Sequence, residues 1–263
     1  MDNWAITTSK ARGKLALGLT DMARSLSLEL QIPFVERMNR SIPWLMDQYS
    51  LNCLLVEENG ELLAHWADGE MMQFHPGMAI HRIKQLKDGK AEMLTHIMNL
   101  QPGAQILDCT MGMAHDAIVL SFAAGSHGMV TALESSPLIY AVTSYGLQHW
   151  PTNSQPMRQA MERIRPICCD YHAYLQTLVP DCYDFLYFDP MFERPVLQSA
   201  DIAPLRREAN YAPLTQEILA LAQRIARQKV VVRHRAGTLR SLQFDCIMGG
   251  KYSSLAYGVL QAK

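Results

Sequence analysis

The run Asp189-Pro190-Met191-Phe192 follows an apolar stretch, Phe185-Leu186-Tyr187-Phe188. A buried strand that delivers a carboxylate and a proline to its carboxyl end suits one kind of chemistry. The lone pair of an exocyclic amine is delocalised into its ring, and it becomes nucleophilic only as the nitrogen turns tetrahedral. The Asp189 carboxylate and the Pro190 carbonyl can accept the two amine hydrogens and favour that geometry. Proline adds no competing amide donor. Phe192 can stack on a flat ring, an interaction of about 1–3 kcal/mol per base. Asp189, Pro190 and Phe192 are therefore the candidate catalytic residues, and Met191 is a candidate substrate contact.

Three further acids follow apolar runs. Asp108 opens Asp108-Cys109-Thr110-Met111-Gly112-Met113-Ala114-His115-Asp116, where Gly112 and Ala114 let a ligand approach the backbone and the next helix offers free amides. Glu134, before Ser135-Ser136-Pro137, can accept the hydroxyls of a ribose. Ser136 before Pro137 supplies the better helix cap, which leaves Glu134 for that task. Asp170, before Tyr171, can accept from an adenine amino group or cap a helix. In an open parallel sheet, ligands sit outside the carboxyl ends of the strands, so together these acids outline an adenosine site.

The elements that must position them alternate. Strands are expected at Gln105–Cys109, Met129–Leu133, Ile164–Cys168, Phe185–Phe188 and Val230–Arg233, with helices at Ala114–Ala124, Pro137–Gln148, Tyr171–Leu178 and Thr215–Arg227. Alternation of this kind implies parallel strands joined by helical crossovers. Leu242–Met248 and Tyr252–Leu260, joined at Gly249-Gly250, read as a terminal hairpin. Residues 76–100 read as helical. The first 75 residues read as a small α+β module. It has an amphipathic helix near residues 10–30, a short helix after Ser41, and strands at Cys53–Val56, Leu62–Trp66 and Met71–Phe74. The expected organisation is thus an N-terminal module, residues 1–75, and a second domain, residues 76–263.

The chain has 263 residues, 49% of them apolar and 19% charged, with a formal charge of -1. This composition excludes a disordered or strongly basic chain. No apolar run approaches the roughly 18 residues of a membrane span. The N-terminus lacks a signal core, so a cytoplasmic protein is expected. The six cysteines form no C-x-x-C pair and are expected to be thiols packed as small hydrophobes. The nine histidines show no zinc spacing, so no metal is expected.

These motifs resemble those of class I S-adenosylmethionine-dependent methyltransferases. More narrowly, they resemble the bacterial small-subunit rRNA guanine-N2 methyltransferase family that carries D-P-M-F. The resemblance spans about residues 75–260, through Asp108–Asp116, Leu133–Pro137 and Phe188–Phe192. It implies an α/β fold, a Rossmann-like seven-stranded methyltransferase sheet, mostly parallel with a C-terminal antiparallel hairpin. It also implies S-adenosyl-L-methionine as cofactor, held by Asp108, Thr110, Gly112, His115, Asp116, Glu134, Ser135, Asp170, Tyr171 and Asp189. The family's second motif glycine is Ala114 here, its arginine before the motif aspartate is His115, and Ser135 replaces a charged residue.

An RNA substrate needs cations near the strand ends. Residues 220–243 hold Arg224, Arg227, Lys229, Arg233, Arg235 and Arg240 and no acid. Arg82 lies in a second basic group, and Arg82 and Arg233 are candidate substrate contacts. Three readings stay open at this point. They are a methyltransferase for guanine N2 in ribosomal RNA, one for a small-molecule or protein nitrogen, and a non-catalytic cofactor-binding protein.

Overall fold

The structure is a computed structural model that describes residues 3–10, 14–58, 60–191, 207–208, 210–250 and 254–263. These fall into two compact units. One is drawn from Met1–His75 and Pro137–Pro151 with Arg207, the other from Pro76–Ser136, Thr152–Ala200 and Glu208–Lys263.

The first unit is a four-stranded sheet in the order β1 (Trp4–Thr8), β2 (Cys53–Glu58), β3 (Glu61–Trp66), β4 (Met71–Gln73). β1 was not anticipated. It pairs parallel to β2, with Trp4 opposite Cys53, and the long connection such a pair requires leaves no local turn signature. Between them come α1 (Lys14–Leu30) and α2 (Ile42–Gln48). Ser41 caps α2 by accepting the Trp44 amide, and a proline sits in the first turn, as the sequence implies. β2 is an unbroken apolar run up to Glu57 because it is buried on both faces. Leu54 and Val56 pack with Ala5, Val35, Leu45 and Met46. On another side, the hydroxyl of Tyr145 donates to the buried Glu57 carboxylate at 3.3 Å. Tyr145 lies on a helix from the middle of the chain, Pro137–His149, which belongs to this unit.

The second unit begins with α3 (Gly77–Lys87) and α4 (Met93–Met98). The single helical stretch expected over residues 76–100 is broken at Gly89, whose φ of 72° lies in the left-handed region. There follow β5 (Gln105–Asp108), α5 (His115–Ala124), β6 (Met129–Glu134), the helix already described, here α6, α7 (Gln155–Glu162), β7 (Ile164–Cys168), α8 (Tyr171–Gln176) and β8 (Tyr183–Phe188). After residue 210 come α9 (Gln216–Ile225), β9 (Ala226–Arg235), α10 (Ala236–Ser241), β10 (Cys246–Gly249) and β11 (Leu255–Gln261). Helices α7 and α10 were not anticipated. β9 starts at Ala226, where the sequence pattern still suggested helix.

The seven strands form one sheet in the order β10-β11-β9-β8-β5-β6-β7. β5 to β9 pair in parallel, and β10 and β11 are antiparallel, as expected of the terminal hairpin. The chain moves to one side of β5 through β6 and β7, then to the other through β8 and β9. The crevice at the carboxyl ends of β5 and β8 is therefore a topological switch point, where ligands bind in folds of this kind. Phe185, Leu186, Tyr187 and Phe188 are fully buried and hold that edge rigid. All six cysteines are free thiols; Cys53 and Cys109 are buried and the partly buried Cys182 packs against the core, so packing as a hydrophobe fits these three, whereas Cys168 and Cys246 are exposed. Among the described residues, no helix is long and apolar enough to cross a membrane, and no cluster of His, Cys, Asp or Glu is placed to hold a metal ion.

Candidate active site

Beyond the last residues of the strands, hydrogen bonds continue between the loops. The Cys109 amide donates to the Tyr187 carbonyl at 2.9 Å, Met111 to Leu133 at 2.7 Å, and Cys169 to Glu134 at 2.9 Å. The Asp189 amide donates to Thr110 Oγ1 at 2.7 Å. The glycine turn and the Asp189-Pro190 corner are thus one joined rim. Asp108 shapes the turn from below. It is buried and accepts the Thr110 amide at 3.0 Å. Burial, with the neighbouring carboxylates of Asp116, Asp189 and Glu134, pushes its own carboxyl well up.

Gly112 has a φ of 50°, and no atom lies within 4 Å of where a Cβ there would sit. The backbone faces open space that a ligand can enter. Ala114, at φ 57°, holds the left-handed cap position before α5 and is fully buried. Alanine there brings only a methyl group into a conformation that favours glycine. His115 and Asp116 then form the first turn of α5.

Glu134 ends β6 and is nearly buried. Its Oε2 accepts the Gly112 amide at 3.0 Å and its Oε1 the Ser136 amide at 2.8 Å. It is therefore not left wholly for a ligand, as the capping argument supposed. It also ties the glycine turn to β6. A carboxylate has about four acceptor positions, so capacity for ribose hydroxyls remains. Burial raises its pKa, and the amides of Ser136, Gly112 and Ser135 oppose that shift. Asp170 caps α8. Its Oδ1 accepts the His172 amide at 2.7 Å and lies 2.9 Å from His172 Nδ1. Its Oδ2 accepts from Asn210 at 2.7 Å. Tyr171 stacks on His172 and meets Phe188 edge-on.

Asp189 sits at the centre. Arg233, from the end of β9, donates to its Oδ2 at 2.8 Å. Burial lifts the Asp189 carboxyl to about 7, with Arg233 pulling it down and Asp116 pushing it up. Beneath this pair lies a second ionic group. Arg82 on α3 donates through Nε and Nη2 to Glu92 Oε1, at 3.1 and 2.7 Å, and through Nη1 to Asp116. The buried hydroxyl of Tyr187 donates to Asp116 Oδ2 at 2.9 Å. Burial opposes ionisation of Asp116, but Arg82 and Arg233 hold its carboxyl below the usual range.

The structure therefore brings Asp108, Thr110, Gly112, Glu134 and Asp189 onto one hydrogen-bonded rim, with Arg233 on Asp189. Ser135 and Tyr171 follow Glu134 and Asp170 on neighbouring strand ends, and Met191 follows the buried Pro190. Phe192 lies outside the described residues. Arg82 is engaged by two carboxylates rather than offered to a substrate. Glu92 and Tyr187 were missed. Tyr187 had a signal, since a tyrosine inside a fully apolar strand must satisfy its hydroxyl. Glu92 had only its place three residues before Thr95, whose amide it caps at 2.9 Å.

An open glycine turn, a ribose-competent carboxylate and the first turn of a helix fit a sulfonium nucleoside with an amino-acid tail. Comparison with known proteins agrees. A family described as "Putative SAM-dependent methyltransferase" matches residues 44–252. The uncharacterized protein YpiP of Bacillus subtilis (strain 168) is 34% identical over 241 residues, covering 91% of this chain and 93% of that protein. Ribosomal RNA small subunit methyltransferase J of Cellvibrio japonicus is 32% identical over 173 residues, covering 61% of this chain and 63% of that protein. A SAM-dependent methyltransferase structure from Neisseria gonorrhoeae superposes with a TM-score of 0.61 at 17% identity, over 98% of this chain and 95% of the other, a likeness of fold. The match over residues 44–252 covers well over half of the sequence and includes the whole rim from Asp108 to Asp189, and the chain belongs to the SAM-dependent methyltransferase family, with S-adenosyl-L-methionine as its cofactor.

Proposed function

We propose that this enzyme methylates an exocyclic amine of a nucleobase, guanine N2 in ribosomal RNA, in the cytoplasm. The observation that carries the reading is the Asp189-Pro190 corner, held to the glycine turn through Thr110 and braced by Arg233. An sp2-bound nitrogen needs its hydrogens accepted as it pyramidalises, and a fixed carboxylate beside a donor-free proline nitrogen meets that need. The names of the small-subunit methyltransferase relatives support ribosomal RNA as the target.

When bound, the cofactor supplies a methyl group on a good leaving group and requires no metal. The chain's work is positional. Gly112 and the start of α5 receive the amino-acid end. Glu134 and Asp170 receive the nucleoside end. Asp189 would orient the acceptor amine toward the methyl group that the cofactor would supply, with the cofactor leaving as a neutral thioether, and the surplus proton on the methylated nitrogen would pass to the Asp189 carboxylate or to water. Residues 76–263 form the catalytic domain in this proposal, with residues 1–75 an added module.

Nucleoside mass spectrometry of total RNA from cells with and without the gene tests the substrate. Loss of N2-methylguanosine from small-subunit RNA is expected, and an unchanged nucleoside profile would redirect the search to small molecules and proteins. Glu134→Ala is expected to weaken S-adenosylmethionine binding at least about 10-fold, because a hydrogen bond to a charged group contributes about 1.5–3 kcal/mol. Calorimetry checks it, and unaltered affinity would remove the ribose role.

A further inference from the structure

We infer that the target base docks in the cavity beside Pro190, stacked by Tyr211 and read by Arg235. The inference rests on the proposed base methylation and names the residues that would select guanine. The cavity has a volume of about 240 Å³, and its walls include Pro190 and Met191 after β8, Val232 and Arg235 of β9, Thr238 of α10, and Tyr211. At about 10–15 Å³ of such volume per water, the cavity has room for a flat heteroaromatic ring. Its wall begins at Pro190, the residue that directly follows Asp189 in the chain.

The lining has the chemistry of a base pocket. Pro190, Met191 and Val232 give apolar walls. Tyr211 is 37% exposed, a flat ring that solvent, and hence an extruded base, can reach. Its backbone is held in place. Asn210 accepts the Ala212 amide at 2.9 Å through its own side-chain oxygen, and its side-chain nitrogen donates to Asp170 at 2.7 Å. Such an Asx turn fixes the residue it encloses. The same loop thereby joins the carboxylate proposed for adenine to the lip of the cavity.

Arginine supplies the selection. A guanidinium pairs bidentately with guanine O6 and N7, the commonest specific arginine–base contact. Those atoms lie at the far side of the purine from the 2-amine. A guanine gripped there by Arg235 presents its 2-amine away from the arginine. Adenine offers a donor where guanine has O6 and is refused. A base within a duplex must be flipped out to enter, and one in a single strand enters at less cost.

The test uses the full-length enzyme, labelled S-adenosylmethionine and single-stranded RNA oligonucleotides. Each carries one guanine or one 2-aminopurine, which keeps the 2-amine and lacks O6. The wild type is expected to prefer guanine by about 10-fold or more in kcat/KM, within the range of one bidentate arginine contact. Arg235→Gln should erase that preference, lowering the guanine rate more than the 2-aminopurine rate, which loses only the contact to N7. Tyr211→Ala should lower kcat/KM about 10-fold or more, chiefly through KM, and Tyr211→Phe should restore it, since stacking needs only the ring. Cofactor affinity should stay unchanged in all three. Wild-type preference and kinetics in the variants would overturn the pocket assignment alone, as would a loss of cofactor affinity, which would give the cavity to the cofactor. A wild type that methylates neither oligonucleotide would overturn the base-methylation reading, and the pocket with it.

Discussion

Asp189→Ala is expected to lower kcat by at least about 10²–10³-fold, the loss that follows removal of one group aimed at developing charge in a transition state, while S-adenosylmethionine still binds within a few-fold of wild type. Both halves follow from the geometry. The backbone amide of Asp189, not its side chain, joins the glycine turn through Thr110, so truncating the side chain leaves the rim in place. In the proposed function, the Asp189 carboxylate is the group that receives the acceptor amine. Asp189→Asn keeps a side-chain oxygen that can accept one amine hydrogen, so it should lose less than the alanine variant. Single-turnover transfer and calorimetry on the same samples separate the two effects. Near-normal turnover in the alanine variant would refute the orienting role.

The same residue sets a pH dependence. Its carboxyl is lifted to about 7 by burial, against the pull of Arg233. The ionised form is the acceptor, so kcat/KM should fall about tenfold per pH unit below 7 and level off above it. Arg233→Gln should move that limb to higher pH, because it removes the positive charge that favours the carboxylate. The stability linkage has the opposite sense. A folded-state pKa above the ordinary 3.8 contributes stability that is complete below that value and is lost as pH rises through about 7. The enzyme therefore works on the side where this carboxyl favours unfolding, as expected of a group kept for chemistry.

What could be read from the sequence and what could not divide by distance along the chain. Asp108, Glu134, Asp170 and Asp189 could be placed from the sequence because each ends or follows its own strand, and in a parallel sheet every such position comes to the same edge. The joining of the glycine turn to Asp189 was an expectation of topology. The atoms that accomplish it, Thr110 Oγ1 and the Asp189 amide, carry no local signature. Arg82 shows the converse. The sequence displays a cation in a basic group and suggests a phosphate contact, whereas the structure spends its guanidinium on Glu92 and Asp116, 10 and 34 residues away. Strand β1 was hidden for a related reason. Its pairing partner is β2, on the far side of two helices, and Thr7 and Thr8 are buried although they read as polar. Helix breaks were legible only where the residue type forces them. Gly89 could have signalled the end of α3, since a left-handed residue stops a helix.

Asp116 carries the largest expected effect on stability. The family resemblance makes it a cofactor contact. The geometry gives it a second task, since it accepts from both Arg82 and the buried Tyr187 hydroxyl. Removing one partner of a buried ion pair costs about 3–5 kcal/mol when the survivor is left uncompensated. Here Arg82 keeps two bonds to Glu92, so its charge is not orphaned and the lower end of that range applies. The Tyr187 hydroxyl, in contrast, loses its acceptor in a place water does not reach, which adds about 1–3 kcal/mol. Asp116→Ala is therefore expected to destabilise the protein by about 4–6 kcal/mol, and at about 2–4 °C per kcal/mol for a chain of this size, to lower Tm by roughly 15 °C. Asp116→Asn keeps an oxygen for Tyr187 and should lose less than half as much. Acid gives an independent check. The Asp116 carboxyl is held below its ordinary value by Arg82 and Arg233 against the effect of burial, so its contribution is present above about 3.8 and disappears as pH falls through the depressed value. The alanine variant should thus lose part of the wild type's steepness of unfolding at acid pH. A thermal melt that does not move on Asp116→Ala, with cofactor affinity reduced, would confine this residue to ligand binding and assign the support of β8 to the apolar packing of Tyr187 alone.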